Sequence, residues 1–106
     1  MRKLFLGLLV CTSVAHAEFY SGNDLLEIMR GNEYQKLIAL GYVSGVADAL
    51  QNAVVCIPAT VTSGQVRDMV KANLEANPTS RHYSADSLIS NHLAKVWPCA
   101  KKGTAL

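Results

Sequence analysis

A chain of 106 residues with three cysteines, three histidines and neither a Gly-rich phosphate loop nor a Gly-x-Ser-x-Gly elbow offers few parts for catalysis. It also lacks an excess of either charge. The formal net charge of +2 resides in Arg2 and Lys3, and the rest of the chain carries as many acidic as basic side chains. With no basic run to follow a phosphate backbone, nucleic acid is excluded as an expected partner. Beyond the N-terminus no stretch approaches the roughly 18 consecutive apolar residues that span a bilayer, so no membrane insertion of the mature chain is expected. Repeats, low-complexity tracts and linkers are absent too, which leaves one domain.

What is present begins with a leader. Arg2-Lys3 forms a positive n-region, Leu4 to Val10 an apolar h-region, and Ala15-His16-Ala17 a small-x-small cleavage site. Residues 1–17 therefore read as a secretory signal peptide cut after Ala17, and residues 18–106 as an exported helical domain in the periplasm. Leu8-Leu9-Val10-Cys11 resembles a lipoprotein cleavage box, but Val10 is bulky where a small residue is required, and the Ala-x-Ala site accounts better for the leader.

Cleavage removes Cys11 and leaves Cys56 and Cys99. An even count in a small exported protein reads as a disulfide. A loop of that length contributes on the order of 4 kcal/mol in the chain-entropy picture, comparable with the roughly 3 to 5 kcal/mol a core of this size supplies. Redox or metal roles lack the C-x-x-C spacing and neighbouring histidines they need.

The periodicities predict an all-α fold, a compact bundle of about four helices with that one disulfide. The first helix starts at Ser21 or Asn23, turns Leu25, Ile28 and Met29 to one face, and stops at Gly31-Asn32. The second runs from about Glu33 to Val55, its stripe passing through Leu37, Leu40, Gly41, Ser44, Gly45, Ala47 and Asp48, and Pro58 forbids its continuation. Thr62 to Gln65 is a capping box opening the third, with Val66, Met69, Val70 and Leu74 inward. Asn77-Pro78 closes it. Ser84 caps the fourth, whose Leu88, Ile89, Leu93 and Val96 face inward until Pro98-Cys99. The tail from Ala100 has no periodicity.

Candidate catalytic residues are absent from this pattern. His92 falls at the edge of a buried face, His82 lies in a loop, and neither has a carboxylate or cysteine at ligand spacing, so no metal and no cofactor is expected. Asp24 and Glu27 are explained by the dipole of the helix they begin. The expectation is a non-enzymatic binding protein. The polar, irregular connection Pro78 to Tyr83 is its candidate contact surface, because Arg81 and Tyr83 are residue types enriched at interface hot spots and His82 both donates and accepts hydrogen bonds. Gly41, Gly45 and Ala49 form a small-x-x-x-small ridge costing about 1 kcal/mol per glycine. Close helix packing within one subunit and a homodimer contact both account for it.

The strings Ser21 to Glu27, Leu40 to Leu50, Val55 to Pro58, Val61 to Val66, Leu74 to Pro78 and Trp97 to Cys99, taken in order, resemble the Rap/Tai family of periplasmic immunity proteins. That resemblance implies an all-helical, often dimeric protein that binds and inhibits a peptidoglycan amidase effector of a type VI secretion system. It also implies that a loop between the last helices, here around Pro78 to Tyr83, occludes the amidase's catalytic cleft. Many relatives carry a second cysteine pair linking the first two helices. Met29 and Ala39 stand at the corresponding positions here, so that staple is missing. The size, helicity and single disulfide also resemble the HdeA-like periplasmic acid-stress chaperones, which is the alternative function.

Overall fold

The computed structural model describes Gly7 and residues 19–100. The rest of the predicted leader, the expected cleavage site after Ala17, and the tail beyond Ala100 lie outside the described residues. Among the described residues there are four helices, α1 (Gly22–Met29), α2 (Glu33–Leu50), α3 (Ser63–Ala76) and α4 (Ala85–Val96), with one 3-10 turn at Pro78–Ser80 before α4. No β-strand occurs among the described residues, and Cys56 and Cys99 are joined with an S–S distance of 2.02 Å. The all-α, singly stapled bundle is the fold the sequence predicts.

Three of the helices start in the same way, each through a reciprocal side-chain box that satisfies two otherwise orphaned amides. The Ser21 hydroxyl accepts from the Asp24 amide at 3.1 Å while the Asp24 carboxylate accepts from the Ser21 amide at 3.0 Å. Asn32 and Gln35 repeat the arrangement at α2, and Thr62 and Gln65 at α3. The backbone and hydroxyl hydrogen bonds from Ser21 hold the Asp24 carboxyl below its ordinary pKa.

α4 begins differently. Ser84 occupies the cap position, but its hydroxyl bonds to the Ser87 hydroxyl at 2.8 Å and not to a backbone amide. The amide of Ala85 is taken instead by the carbonyl of Tyr20 at 2.9 Å, and the amide of Gly22 by the carbonyl of Tyr83 at 2.9 Å. Ser21 and Ser84 pair between them as an antiparallel bridge. The starts of α1 and α4 are thus capped by each other's preceding residue.

α2 packs against all three other helices. Its buried residues are Ala39, Val43 and Ala47, which meet Leu25, Leu26 and Met29 of α1, Val66, Val70 and Leu74 of α3, and Ala85, Ile89 and Leu93 of α4 in one apolar cluster. Met29 and Ala39 are both buried in it.

Three expectations need correction. The second helix ends at Leu50 and not near Val55. Gln51 leaves helical geometry and Asn52 takes a positive φ of 66°, a conformation asparagine tolerates and a standard way to end a helix. The Gln51 side-chain amide then donates to the Ile57 carbonyl at 2.9 Å and accepts from the Ile57 amide at 3.0 Å, closing the turn. Second, the predicted α2 stripe is rotated: Leu37 is 66 % exposed and Gly41, Gly45 and Asp48 face outward. A helix apolar on nearly all sides gives its periodicity no single inward face. Third, Val96 is exposed at the end of α4.

At the pole opposite the cross-capped starts, Val55 bridges Pro98, the Cys56 amide donates to the Trp97 carbonyl at 2.9 Å, and the disulfide locks both segments. The cross-link spans 43 residues of sequence. Replacing both cysteines (Cys56→Ser with Cys99→Ser) is expected to lower unfolding free energy by about 4 kcal/mol, read from urea denaturation. An unchanged midpoint would show that the bridge adds nothing to what Val55 and Trp97 already hold.

Gly22 lies where α1 meets the segment before α4. A Cβ built there would sit 2.5 Å from Leu88 Cδ1 and 3.0 Å from the Arg81 carbonyl oxygen. The leucine tip can swing aside, but the backbone carbonyl cannot move without losing its hydrogen bond to α1. Gly22→Ala should therefore destabilise the protein by about 1–3 kcal/mol and shift the amide resonances of Arg81 and Tyr83. A silent substitution would mean that the two segments are not in contact in solution.

Candidate functional site

Residues 77–84 connect α3 to α4 and contain every predicted contact residue. α3 is closed by Asn77, whose side-chain amide donates to the Asn73 carbonyl at 2.7 Å. Pro78 then opens the single 3-10 turn, where its missing amide hydrogen costs nothing. The Ser80 amide and hydroxyl both donate to the Asn77 carbonyl at 3.2 Å, and the Tyr83 amide to the Ser80 carbonyl at 3.1 Å. Outside the loop, the Arg81 carbonyl accepts from the Asn23 amide at 2.8 Å and the Tyr83 carbonyl from the Gly22 amide at 2.9 Å. The loop backbone is bonded to itself and to the positive end of α1.

That scaffold divides the predicted residues into two groups. Pro78, His82 and Tyr83 are exposed. The rings of His82 and Tyr83 stack at a centroid distance of 4.1 Å with a tilt of 35°, and Tyr83 leaves 58 % of its surface in solvent. A paired, rigidly mounted aromatic presents contact area while losing little side-chain freedom on binding. Arg81 is half-buried and stands apart from this pair, lining a groove along α1. Its Nε is buried and has no hydrogen-bond partner among the described residues, an arrangement that costs about 1–3 kcal/mol per orphaned donor.

Of the residues that fix this loop, Tyr20 and Gly22 carry no direct sequence signal of that role, and Asn23, a candidate cap for the first helix, gives way there to Ser21 and serves the loop instead. Their contribution is made by backbone atoms, which sequence reports only indirectly. The one available signal was a glycine immediately after a serine cap, where a helix has no conformational need for it.

The small-residue ridge is a separate surface. The positions where a Cβ would stand on Gly41 and Gly45 meet no atom within 4 Å beyond the adjoining turns of α2 itself, and Ala49 is exposed on the same side. Packing within the subunit, one of the two explanations for the ridge, does not occur at either glycine among the described residues. Tyr34, Leu37 and Ile38 extend this outer face of α2 as exposed apolar side chains.

The titratable groups are arranged for structure. Burial, followed by the nearby Lys95 charge, pushes the half-buried His92 imidazole below its ordinary pKa. Tyr42 packs edge-on against Tyr20 at 5.2 Å. Its hydroxyl is shifted above the usual tyrosine range by burial and then by the charge of Asp86. No group of three or more His, Cys, Asp or Glu side chains that could hold a metal occurs among the described residues. None of the described helices is long and apolar enough to cross a membrane.

Comparison with known proteins adds the class. No curated protein matches the chain. A family model described as Rap1a immunity proteins matches residues 21–99. The match opens on Ser21, the cap of α1 and one half of the bridge to Ser84, and closes on Cys99, the second half of the disulfide. It therefore takes in both devices that close the fold, all four helices and the loop between α3 and α4. From the first cap to the last half-cystine, this chain belongs to the Rap1a immunity protein family.

Proposed function

We propose that this protein is exported to the periplasm, loses residues 1–17, and there binds and inhibits a peptidoglycan amidase delivered by a type VI secretion system. The loop from Pro78 to Tyr83 enters the amidase's catalytic cleft and excludes substrate. The observation that carries this reading is the loop itself. A stacked His82–Tyr83 pair stands exposed on a backbone bonded at both Arg81 and Tyr83 to the start of α1. Such an element meets a preformed groove without ordering cost, a condition for tight, stoichiometric inhibition. Membership of an immunity family supports inhibition of a toxin over an HdeA-like acid-stress chaperone, which requires no specific partner.

The outer face of α2 is the proposed homodimer contact. Two glycines in a helix interior cost about 1 kcal/mol each relative to alanine, and nothing in the described chain approaches them. A second α2 crossing closely over Gly41, Gly45 and Ala49 would bury Leu37 and Ile38 and account for that cost.

Three experiments test these readings. Co-expression with type VI amidases directed to the periplasm should protect cells. His82→Ala with Tyr83→Ala should weaken amidase binding by about 2 kcal/mol or more with no change in melting temperature. Failure of the wild-type protein to protect against any amidase would overturn the immunity function, and full affinity in the double variant would move the contact surface elsewhere. For the dimer, Gly45→Leu should raise the dissociation constant measured by sedimentation at least about tenfold by blocking close approach. If that face is free in solution, the same substitution leaves the oligomeric state unchanged and stabilises the helix.

A further inference from the structure

Arg81 differs from the other described arginines. Arg30 holds the Glu75 carboxylate at 3.2 Å and Arg67 holds Asp68 at 3.0 Å. Arg81 has no carboxylate within salt-bridge distance among the described residues, and its Nε is buried without an acceptor. Its backbone is nonetheless fixed. The Arg81 carbonyl receives the Asn23 amide, and its Cα lies 3.1 Å from where a Gly22 Cβ would be. Nε is enclosed, so the terminal nitrogens of this half-buried guanidinium, which have no partner among the described residues, are the donors that an acceptor from outside can reach.

The acceptor's route is visible. Arg81 lines one side of an open groove of about 510 Å³ that runs along α1 to the start of α2. Arg30 lines it as well, with the neutral amide side chains of Asn23 and Gln35 and one carboxylate, Glu27. Arg30 is already ion-paired with Glu75 from outside the groove, whereas Arg81 has no such partner among the described residues, so Arg81 is the guanidinium left to meet an incoming carboxylate. The groove shares Arg81 with the loop that carries His82 and Tyr83, which makes it the neighbour in sequence of the aromatic pair.

We propose that this groove is a specificity-determining extension of the effector-binding surface. It accepts an acidic side chain of the amidase, whose carboxylate is held by Arg81 with Arg30 and the flanking amides. The aromatic pair supplies contact area, and the groove supplies selection, because guanidinium groups reward a carboxylate and leave an amide or apolar residue at that position poorly matched. This inference rests on the immunity function proposed above, and the two fail in different ways.

The first measurement uses the exported protein, labelled with nitrogen-15 and titrated at low ionic strength with acetyl-Asp-Glu-amide or the uncharged acetyl-Asn-Gln-amide. The acidic dipeptide should shift the amide resonances of Asn23 and Gly31 and the Nε–H resonance of Arg81, and the uncharged one should not. Arg81→Gln should weaken acidic-peptide binding about tenfold or more. Lys71→Gln removes the same charge from α3 and should leave binding intact, whereas Glu27→Gln should strengthen it, a gain that misfolding cannot produce. No shift with the acidic peptide, an equal loss in Lys71→Gln, or no gain in Glu27→Gln would overturn the groove.

The second measurement uses an amidase that the wild-type protein inhibits. Arg81→Gln and Arg30→Gln should each weaken inhibition, with partial recovery in Arg81→Lys and a larger loss at low salt than at high salt. Undiminished inhibition by Arg81→Gln overturns the groove and leaves the immunity function standing. Absence of any amidase inhibited by the wild-type protein overturns that function, and the groove's occupant with it, whatever the dipeptides show.

Discussion

The antiparallel bridge between Ser21 and Ser84, with the crossed hydrogen bonds Gly22 to Tyr83 and Ala85 to Tyr20, is the contact on which the rest of the molecule depends. Two helix starts bring orphaned amides to one place, and neither could be buried there unsatisfied. Each is satisfied by the carbonyl of the residue two positions before the other helix start. The same exchange aligns α1 with α4, closes the bundle at one pole, and fixes the end of the loop that carries the contact residues. At the other pole the Cys56–Cys99 bridge holds the end of α4 to the turn after α2. α4 is therefore tied at both ends, and the loop before it inherits that constraint.

In the proposed mode of inhibition, the hydrogen-bonded loop and the open groove would divide the work of recognition. The exposed aromatic pair would give area and shape, and Arg81, lining a polar groove, selection by charge. The loop is held through the backbone contacts of Asn23 and Gly22, so on that reading changes in α1 would alter recognition without touching a proposed contact residue. The outer face of α2 lies outside this arrangement. Its glycines pack against no other element of the described chain, which sets the proposed dimer contact apart from the proposed effector-binding loop.

Much of the architecture was legible in the residues. Local signals were strongest where chemistry is local. Thr62 with Gln65 marked the start of α3, Asn77-Pro78 its end, and Ser21 the start of α1, because a side chain reaching an amide three residues away needs nothing from the remaining fold. The two cysteines left after the predicted cleavage named the disulfide by counting. Legibility failed at α2. The run from Gln51 to Val55 has no helix breaker of its own, and its departure from helix is set by the Gln51 side chain bonding to Ile57 and by Val55 meeting Pro98. The inward face of α2 was hidden for a related reason: with apolar residues on most sides, only the positions of its three neighbours choose Ala39, Val43 and Ala47.

Sequence by itself determined that there are four helices, the caps that open α1 and α3, the staple and the loop that holds Arg81, His82 and Tyr83, since each of these rests on residues close in the chain or on the pairing of the two cysteines among the described residues. Tertiary structure alone decided that the loop is rigid, that Gly22 must be glycine, that Arg81 parts company with its two neighbours and faces a groove on α1, and that Gly41 and Gly45 look outward. All four depend on where α1 lies against α4 and on which face α2 turns inward. Those placements are fixed by backbone hydrogen bonds between segments some sixty residues apart and by the packing of a common core, neither of which leaves a periodic trace in the chain.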